Sequence, residues 1–395
     1  MTIDWLIIGG GVHGVHIATR LIAEAGVPAD RLRILDPNPR LLQRWRDCTG
    51  ITGMTHLRSP SVHHLALDPF SLQRFAGKRK RRAAGLFAAP FERPSLNLFN
   101  AHCEQVAEDH GLSDLHIRER AATCSVDRDG VEIRLHDDRV IRAGNIVLAI
   151  GASDQPARPD WAPANHPRVR HVFEPGFDGW PAERENVLVV GGGISAGHVT
   201  LHLLAEGHGV HLASRHPLRE HQFDSDPGWL GPKYTDRFHR ETDPDQRRAV
   251  ISKARHRGSV PPNMARSIRR AIARDRIQWH EEEVKGFETH GSGLKATVGA
   301  DTVLGVDRIL LATGFATRRP GGSMVDDLIE SAALPCASCG YPIVDASLRW
   351  HPGIYVSGPL AELEIGPVSR NIAGARRAGD RLVAAALSTA GATAP

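Results

Sequence analysis

The chain has 395 residues, 41% of them hydrophobic and 24% charged, with a formal net charge of +4; that length suits two domains rather than one small core. The mild, dispersed positive balance suits anionic ligands such as nucleotides and gives no ground for nucleic-acid binding, and no apolar run reaches the ~18 residues that a membrane span needs. Five cysteines in a chain of this size make no disulfide framework, and the start, lacking a basic leader, does not read as a signal peptide, so a reducing cytoplasm is expected.

Residues 5–8 predict a buried strand, and residues 12–24 a helix whose apolar face carries Val15, Ala18, Leu21 and Ile22. A second strand at 32–35 ends on Asp36, completing a β-α-β unit of the kind that builds a parallel sheet. Between the first strand and the helix lies Gly9-Gly10-Gly11-Val12-His13-Gly14, with G-x-G-x-x-G spacing. Gly9 permits the tight turn, Gly11 lets a pyrophosphate approach the backbone, and Gly14 lets helix pack on strand. The helix N-terminus supplies free N–H donors, and Asp36 is placed to accept from ribose hydroxyls.

Residues 37–75 read as irregular and rich in His, Pro and Ser, and the basic run at 78–82 as a solvated loop. A helix is expected at 97–110. Strands follow over 121–150, with turns at 127–130 and 136–138, ending in an apolar strand before Gly151. Pro156, Pro159, Pro163 and Pro167 mark a linker.

A second β-α-β unit begins at Val187 and carries Gly191-Gly192-Gly193-Ile194-Ser195-Ala196, with alanine in place of the third glycine. Its next strand, 210–213, ends in Ser214-Arg215 and no acid. A carboxylate there would repel a 2′-phosphate and an arginine would attract it, so Gly191, Gly193, Ser195 and Arg215 point to NADPH, with Arg219 assisting. Residues 216–262 read as a polar insertion with some helix. The strand-rich stretch 279–311 then leads to Ala312-Thr313-Gly314, much as the strand before Gly151 did. The chain thus echoes itself, and residues 386–395 read as a loose tail of small residues.

Two dinucleotide sites on one chain imply passage of electrons between a nicotinamide and a flavin. Cys336-Ala337-Ser338-Cys339 is a C-x-x-C pair, which allows a redox disulfide, although it follows neither glycine turn at short range. No histidine spacing suggests a metal, and none is expected.

The paired glycine turns, with Asp307-Arg308-Ile309-Leu310-Leu311-Ala312-Thr313-Gly314-Phe315 and Pro320, resemble the flavin-dependent N-hydroxylating monooxygenases. These are the ornithine and lysine N-monooxygenases of siderophore synthesis, within the class B flavoprotein monooxygenases. Residues 54–71 resemble that family's flavin-side loop, residues 226–248 its insertion, and His171-Val172 the histidine before the second turn. The resemblance implies FAD and NADPH as cofactors, with oxygen activated at flavin C4a and passed to a small nucleophilic, amine-type substrate. It places Met54, Arg58 and His63 along the flavin or substrate pocket, and Gly358 beside the flavin ribityl chain. Arg58 reads equally as a carboxylate clamp or as a structural, salt-bridged arginine.

There are departures. Phe315 stands where the family has tyrosine. His63 is nearest to the family's substrate-holding lysine, residues 256–261 replace its Asn-Tyr pair, and Pro359 follows Gly358 where an acid is usual. These leave the substrate open.

The expected fold is α/β, with two Rossmann-like dinucleotide-binding domains. Residues 1–165 and 325–395 form a discontinuous FAD domain that includes a C-terminal helix near 372–386. Residues 166–324 form the NADPH domain, with the insertion at 216–262. Small-molecule substrate and oxygen are the expected partners, without nucleic acid or membrane, and a homo-oligomer stays open. Two alternatives remain: a reductase or oxidase delivering electrons to a disulfide, a quinone or oxygen, and a slow nucleotide-sensing flavoprotein.

Overall fold

The computed structural model of the protein describes residues 3–77, 85–127 and 130–392. The basic run at 78–82, two residues of the 127–130 turn and the last three residues lie outside these.

The first unit opens with β1 (Ile3–Ile8), α1 (Val12–Ala23) and β2 (Leu32–Leu35), close to the expected bounds. α2 (Gln43–Ile51) and α3 (Ser71–Ala76) follow, then the short strands β3 (Phe87–Ala88) and β4 (Arg93–Pro94), and α4 (Leu96–Asp109). The expectation of an irregular stretch over 37–75 is therefore corrected. α2 has low mean hydropathy and only Thr49 fully buried, so it carries little apolar periodicity to read.

β5 (His116–Ile117), β6 (Ala121–Asp127), β7 (Gly130–Leu135) and β8 (Val140–Leu148) come next. β8, β1, β2 and β5 lie side by side in parallel, while β6 and β7 extend antiparallel from β8. Buried on both faces, β1 reads Trp-Leu-Ile-Ile without alternation, as a central parallel strand must.

β9 (Val169–His171), β10 (Asn186–Val190), α5 (Ile194–Ala205) and β11 (Gly209–Ala213) begin the second sheet. The insertion supplies β12 (Arg219–Glu220), α6 (Pro232–Arg240), α7 (Pro244–Ala254) and β13 (Ser259–Val260), and α8 (Pro262–Ile272) leads back to β14 (Ile277–His280). The meander β15 (Val284–His290), β16 (Gly293–Val298) and β17 (Thr302–Val306) precedes β18 (Arg308–Leu311). The parallel order is β14-β11-β10-β18-β9.

α9 (Gly322–Ala332), β19 (Arg349–His351), β20 (Ile354–Val356), α10 (Glu362–Ile365) and α11 (Ile372–Ala392) return the chain to the first sheet. β20 pairs in parallel with β8, Ile354 opposite Ile146, so the first unit is discontinuous. α11 packs on α1, where Arg20 bonds Asp380 and a Cβ at Gly379 would crowd Arg20. The expectation of a loose tail from residue 386 is corrected as far as Ala392, since the alanine-rich end has high helix propensity and simply prolongs α11.

The Pro-rich stretch is no free linker either. Ala157 N donates to Gly314 O at 2.9 Å and Ala316 N to Gln155 O at 2.8 Å, so the two chain crossings between the sheets run antiparallel and are hydrogen-bonded to each other.

Candidate functional site

The two glycine turns have the same construction. Gly9 N donates to Leu35 O at 2.8 Å and Gly191 N to Ala213 O at 2.9 Å, each tying the turn to the neighbouring strand. Gly9 has φ +115° and Gly191 has φ +145°, a region that side chains avoid. A Cβ at Gly9 would collide with Ala149 O, and one at Gly191 with Ala312 O. The third position packs helix on strand: a Cβ at Gly14 would collide with Gly9 O, whereas Ala196 fits the second unit, buried.

The middle glycines behave differently. Gly11 and Gly193 are the N-caps of α1 and α5, both in extended conformation, with no side-chain cap and no acid in the first helical turn. The first N–H groups of each helix are therefore left for a ligand. A Cβ at Gly11 would meet nothing within 4 Å, so this glycine is required neither by backbone conformation nor by internal packing. Open space, uncapped donors and an acid at the end of the next strand fit FAD at the first turn.

Asp36 is that acid. Its Oδ2 accepts from Gly10 N at 2.7 Å, and its Oδ1 from Asn38 N and Nδ2 at 2.9 and 2.8 Å. The carboxylate thus braces the turn: Oδ1 already accepts twice, and Oδ2, which accepts once, keeps a lone pair for a ribose hydroxyl. Gly358 lies across from it on the returning chain, at φ +63°, where a Cβ would stand 3.7 Å from the His13 ring. His13 Nδ1 is 2.8 Å from Ser357 Oγ, and burial pushes its pKa down to about 4. This histidine, set inside the glycine motif itself, was not singled out from the sequence. Its only signal is its place between Gly11 and Gly14.

At the second turn, Ser195 lies in the first turn of α5, half-buried. Arg215 projects into solvent, 77% exposed, with Glu283 3.7 Å away. Thr313 donates to Ala157 O, and Gly314, at φ +78°, holds the crossing strand. Both belong to the paired crossing rather than to the glycine turn. His216 packs over Gly192 and Gly258.

Met54, Arg58 and His63 share one segment and do different things. Met54 is half-buried against the apolar core under α1. His63 N donates to Pro60 O, and burial, with the Arg376 charge, holds its ring below the ordinary histidine pKa. Of its two readings, Arg58 makes contacts of the structural kind, to backbone and a hydroxyl rather than to a carboxylate. Its Nε donates to Gln222 O at 2.8 Å, and its Nη2 to His221 O at 2.7 Å and Ser259 Oγ at 2.9 Å. Nε and Nη2 thus tie the segment around residue 58 to the insertion.

Cys336 pairs with Pro342 in a small bridge, and Cys339 is exposed, its Sγ 3.4 Å from Arg248 Nε; both are free thiols. No helix among the described residues is long and apolar enough to cross a membrane, and no three His, Cys, Asp or Glu among them group to hold a metal.

A family model described as FAD-NAD(P)-binding matches residues 6–153, and one described as pyridine nucleotide-disulphide oxidoreductase matches residues 99–380. No curated protein matches the chain. Among solved structures, it is similar to an ornithine N-hydroxylase from Kutzneria sp. 744, at 19% identity and a TM-score of 0.80, covering 99% of this chain and 100% of that one. An ornithine hydroxylase from Pseudomonas aeruginosa gives 16% identity and a TM-score of 0.78, with 98% and 99% covered. A bacillithiol disulfide reductase from Bacillus cereus gives 18% identity and a TM-score of 0.65, with 98% and 100% covered. At these identities the likeness is one of fold.

Proposed function

The chain belongs to the pyridine nucleotide-disulphide oxidoreductase family, and on that premise we propose that it is a monooxygenase that uses FAD and NADPH to hydroxylate a small nucleophilic, amine-type substrate. The observation that carries this reading is the duplicated turn: two uncapped helix N-termini, Gly11 and Gly193, on two parallel sheets joined by a paired crossing. Its greater likeness to two ornithine hydroxylases, with TM-scores of 0.78 and 0.80 against 0.65 for the disulfide reductase, favours hydroxylation over disulfide reduction. So does the placing of the thiols, with Cys339 exposed against α7 rather than at a glycine turn.

In this reading residues 1–165 and 325–395 hold FAD and residues 166–324 hold NADPH. Gly9, Gly11, Gly14, Asp36 and Gly358 serve the flavin nucleotide. Gly191, Gly193, Ser195, Arg215, Thr313 and Gly314 serve NADPH. Bound FAD would take electrons from NADPH and deliver oxygen to the substrate nitrogen.

The chain's own residues bind, orient and exclude water. The free amides behind Gly11 take the pyrophosphate, and Asp36 takes a ribose hydroxyl while bracing Gly10. His13 is neutral near pH 7, so it holds Ser357 without adding charge beside the flavin chain. Gly358, Pro359, Leu360 and Ala361 are all buried and close that side against solvent. The position of Arg215 suits the 2′-phosphate of NADPH.

The test is a balance of products. FAD-loaded protein is given NADPH, oxygen and a panel of primary amines, and hydroxylated amine and peroxide are measured per NADPH consumed. Hydroxylated product with one amine supports the proposal. Peroxide equal to NADPH with every amine overturns it in favour of an oxidase.

A further inference from the structure

A cluster of guanidinium groups lies where the insertion meets the returning flavin-side chain. Arg248 comes from within α7 and Arg255 from its C-terminal cap, Arg257 from the loop after it, and Arg370 from the approach to α11. Two carboxylates answer them. Glu362, 1% exposed, accepts from Arg370 Nε at 2.6 Å and from Arg248 Nη1. Asp224 stands 3.7 Å from Arg255 Nη2 and is otherwise held by Asn371 Nδ2 at 3.0 Å. Arg58 adds a fifth positive charge near Asp224.

The donors outnumber the acceptors. Arg255 Nε and Nη1 and Arg248 Nη2 are buried without a hydrogen-bond partner. The Arg257 side chain is exposed and makes no hydrogen bond or ion pair among the described residues, while its main-chain N donates to Arg255 O at 2.9 Å. Desolvation, with the Arg370 and Arg248 charges, pushes its pKa down, partly offset by Glu362. Unpaired buried charge is costly, and planar guanidinium forks match oxyanions closely.

The place is also telling. Gly258, next to Arg257, has its Cα 3.4 Å from where a Cβ on Gly193 would sit, at the uncapped start of α5. On the other side Asp224 joins Arg255 to Asn371, just before α11, and Arg370 also donates to Tyr341 Oη at 2.8 Å. The cluster therefore lies between the start of α5, beside Gly193, and Asn371, whose backbone reaches His13 of the first glycine turn.

We propose that Arg257, backed by Arg255, Arg248 and Arg370, is an oxyanion-binding subsite that completes its charge only when a carboxylate or phosphate binds. It rests on the two-cofactor reading above, and deepens it by requiring an acidic group on what binds at this place. A substrate carboxylate and a phosphate of NADPH share this chemistry.

The test reads binding, so a failure of hydroxylation does not touch it. FAD-loaded protein is titrated calorimetrically with malonate and, separately, with NADP+, for the natural chain, Arg257→Gln and Arg257→Lys. Arg257→Gln should weaken one probe at least about tenfold, the loss expected of a charge-assisted pair, and Arg257→Lys should fall between. Loss confined to malonate assigns the subsite to a carboxylate, and loss of NADP+ assigns it to a phosphate. Affinities for both probes within about twofold of the natural chain, or no malonate binding by the natural chain together with unchanged NADP+ affinity, overturn the proposal. The Arg257 side chain has no hydrogen-bond or ion-pair partner among the described residues to lose, so Arg257→Gln should keep the natural melting temperature.

Discussion

Asp36 accepts the amide proton of Gly10 at 2.7 Å, so the acid that ends β2 also holds the turn that follows β1. Asp36→Ala should therefore do two things: release the turn and remove a ribose contact. Flavin occupancy, read from visible absorbance per protein, should fall by about tenfold or more, as for loss of a charged hydrogen bond. Asp36→Asn keeps an acceptor and should retain more flavin. Equal occupancy in both variants would contradict the bracing role.

Gly11 and Gly14 separate ligand space from packing space. Gly11→Val starts its side chain from a Cβ that has nothing of the protein within 4 Å, so the variant should fold and purify colourless. Gly14→Val forces a side chain onto Gly9 O and should lose folded protein. A yellow, fully loaded Gly11→Val would show that the first turn does not carry the pyrophosphate.

Arg215 is exposed and shares its surroundings with Glu283. Arg215→Ala should raise KM for NADPH by about tenfold and leave KM for NADH within about twofold, since only the former has a 2′-phosphate. Glu283→Gln should lower KM for NADPH slightly. Equal effects of Arg215→Ala on both nucleotides would remove the assignment.

Acid should weaken the fold through buried histidines. Burial holds His64, His102 and His171 down to about 4, and His16 to about 3, against an ordinary value of 6.5. Each is neutral in the fold, and below pH 6.5 the unfolded chain takes protons that the folded chain refuses. Their contribution is thus full above pH 6.5 and is lost as pH falls toward 4. The melting temperature should decline across that window, and His102→Gln should flatten the decline. A melting temperature constant from pH 6.5 to 4 would contradict this.

Arg58→Ala should loosen the insertion rather than change chemistry. The carbonyls of His221 and Gln222 lose their donor, at a cost of about 1–3 kcal/mol. Hydrogen exchange over residues 216–262 should quicken. Unchanged exchange with a raised substrate KM would restore the clamp.

The parts of the fold that the sequence made legible are those where one physical demand dominates. Buried parallel strands leave apolar runs, as in Val187–Val190, and tight turns leave glycines, as at Gly9 and Gly191. α2 was not legible because its polar surface hides its helical period. The role of Arg58 was undecidable from residue type, since a fork serves a ligand carboxylate or backbone carbonyls equally well. The arginine cluster was invisible because its members come together only when α7 meets the segment before α11. His13 stood in plain view, but only the returning strand gave it a partner in Ser357.

The pairing of β20 with β8 has a consequence for synthesis. Ile354 must lie beside Ile146, yet the whole second sheet, from Val169 to Leu311, is made between them. As the chain leaves the ribosome, β7 can already pair with the first half of β8, but the edge at Ile146, Val147 and Leu148 waits unpaired while the second sheet is completed. The first glycine turn is therefore completed late, by the returning segment that brings Ser357 and Gly358 to His13.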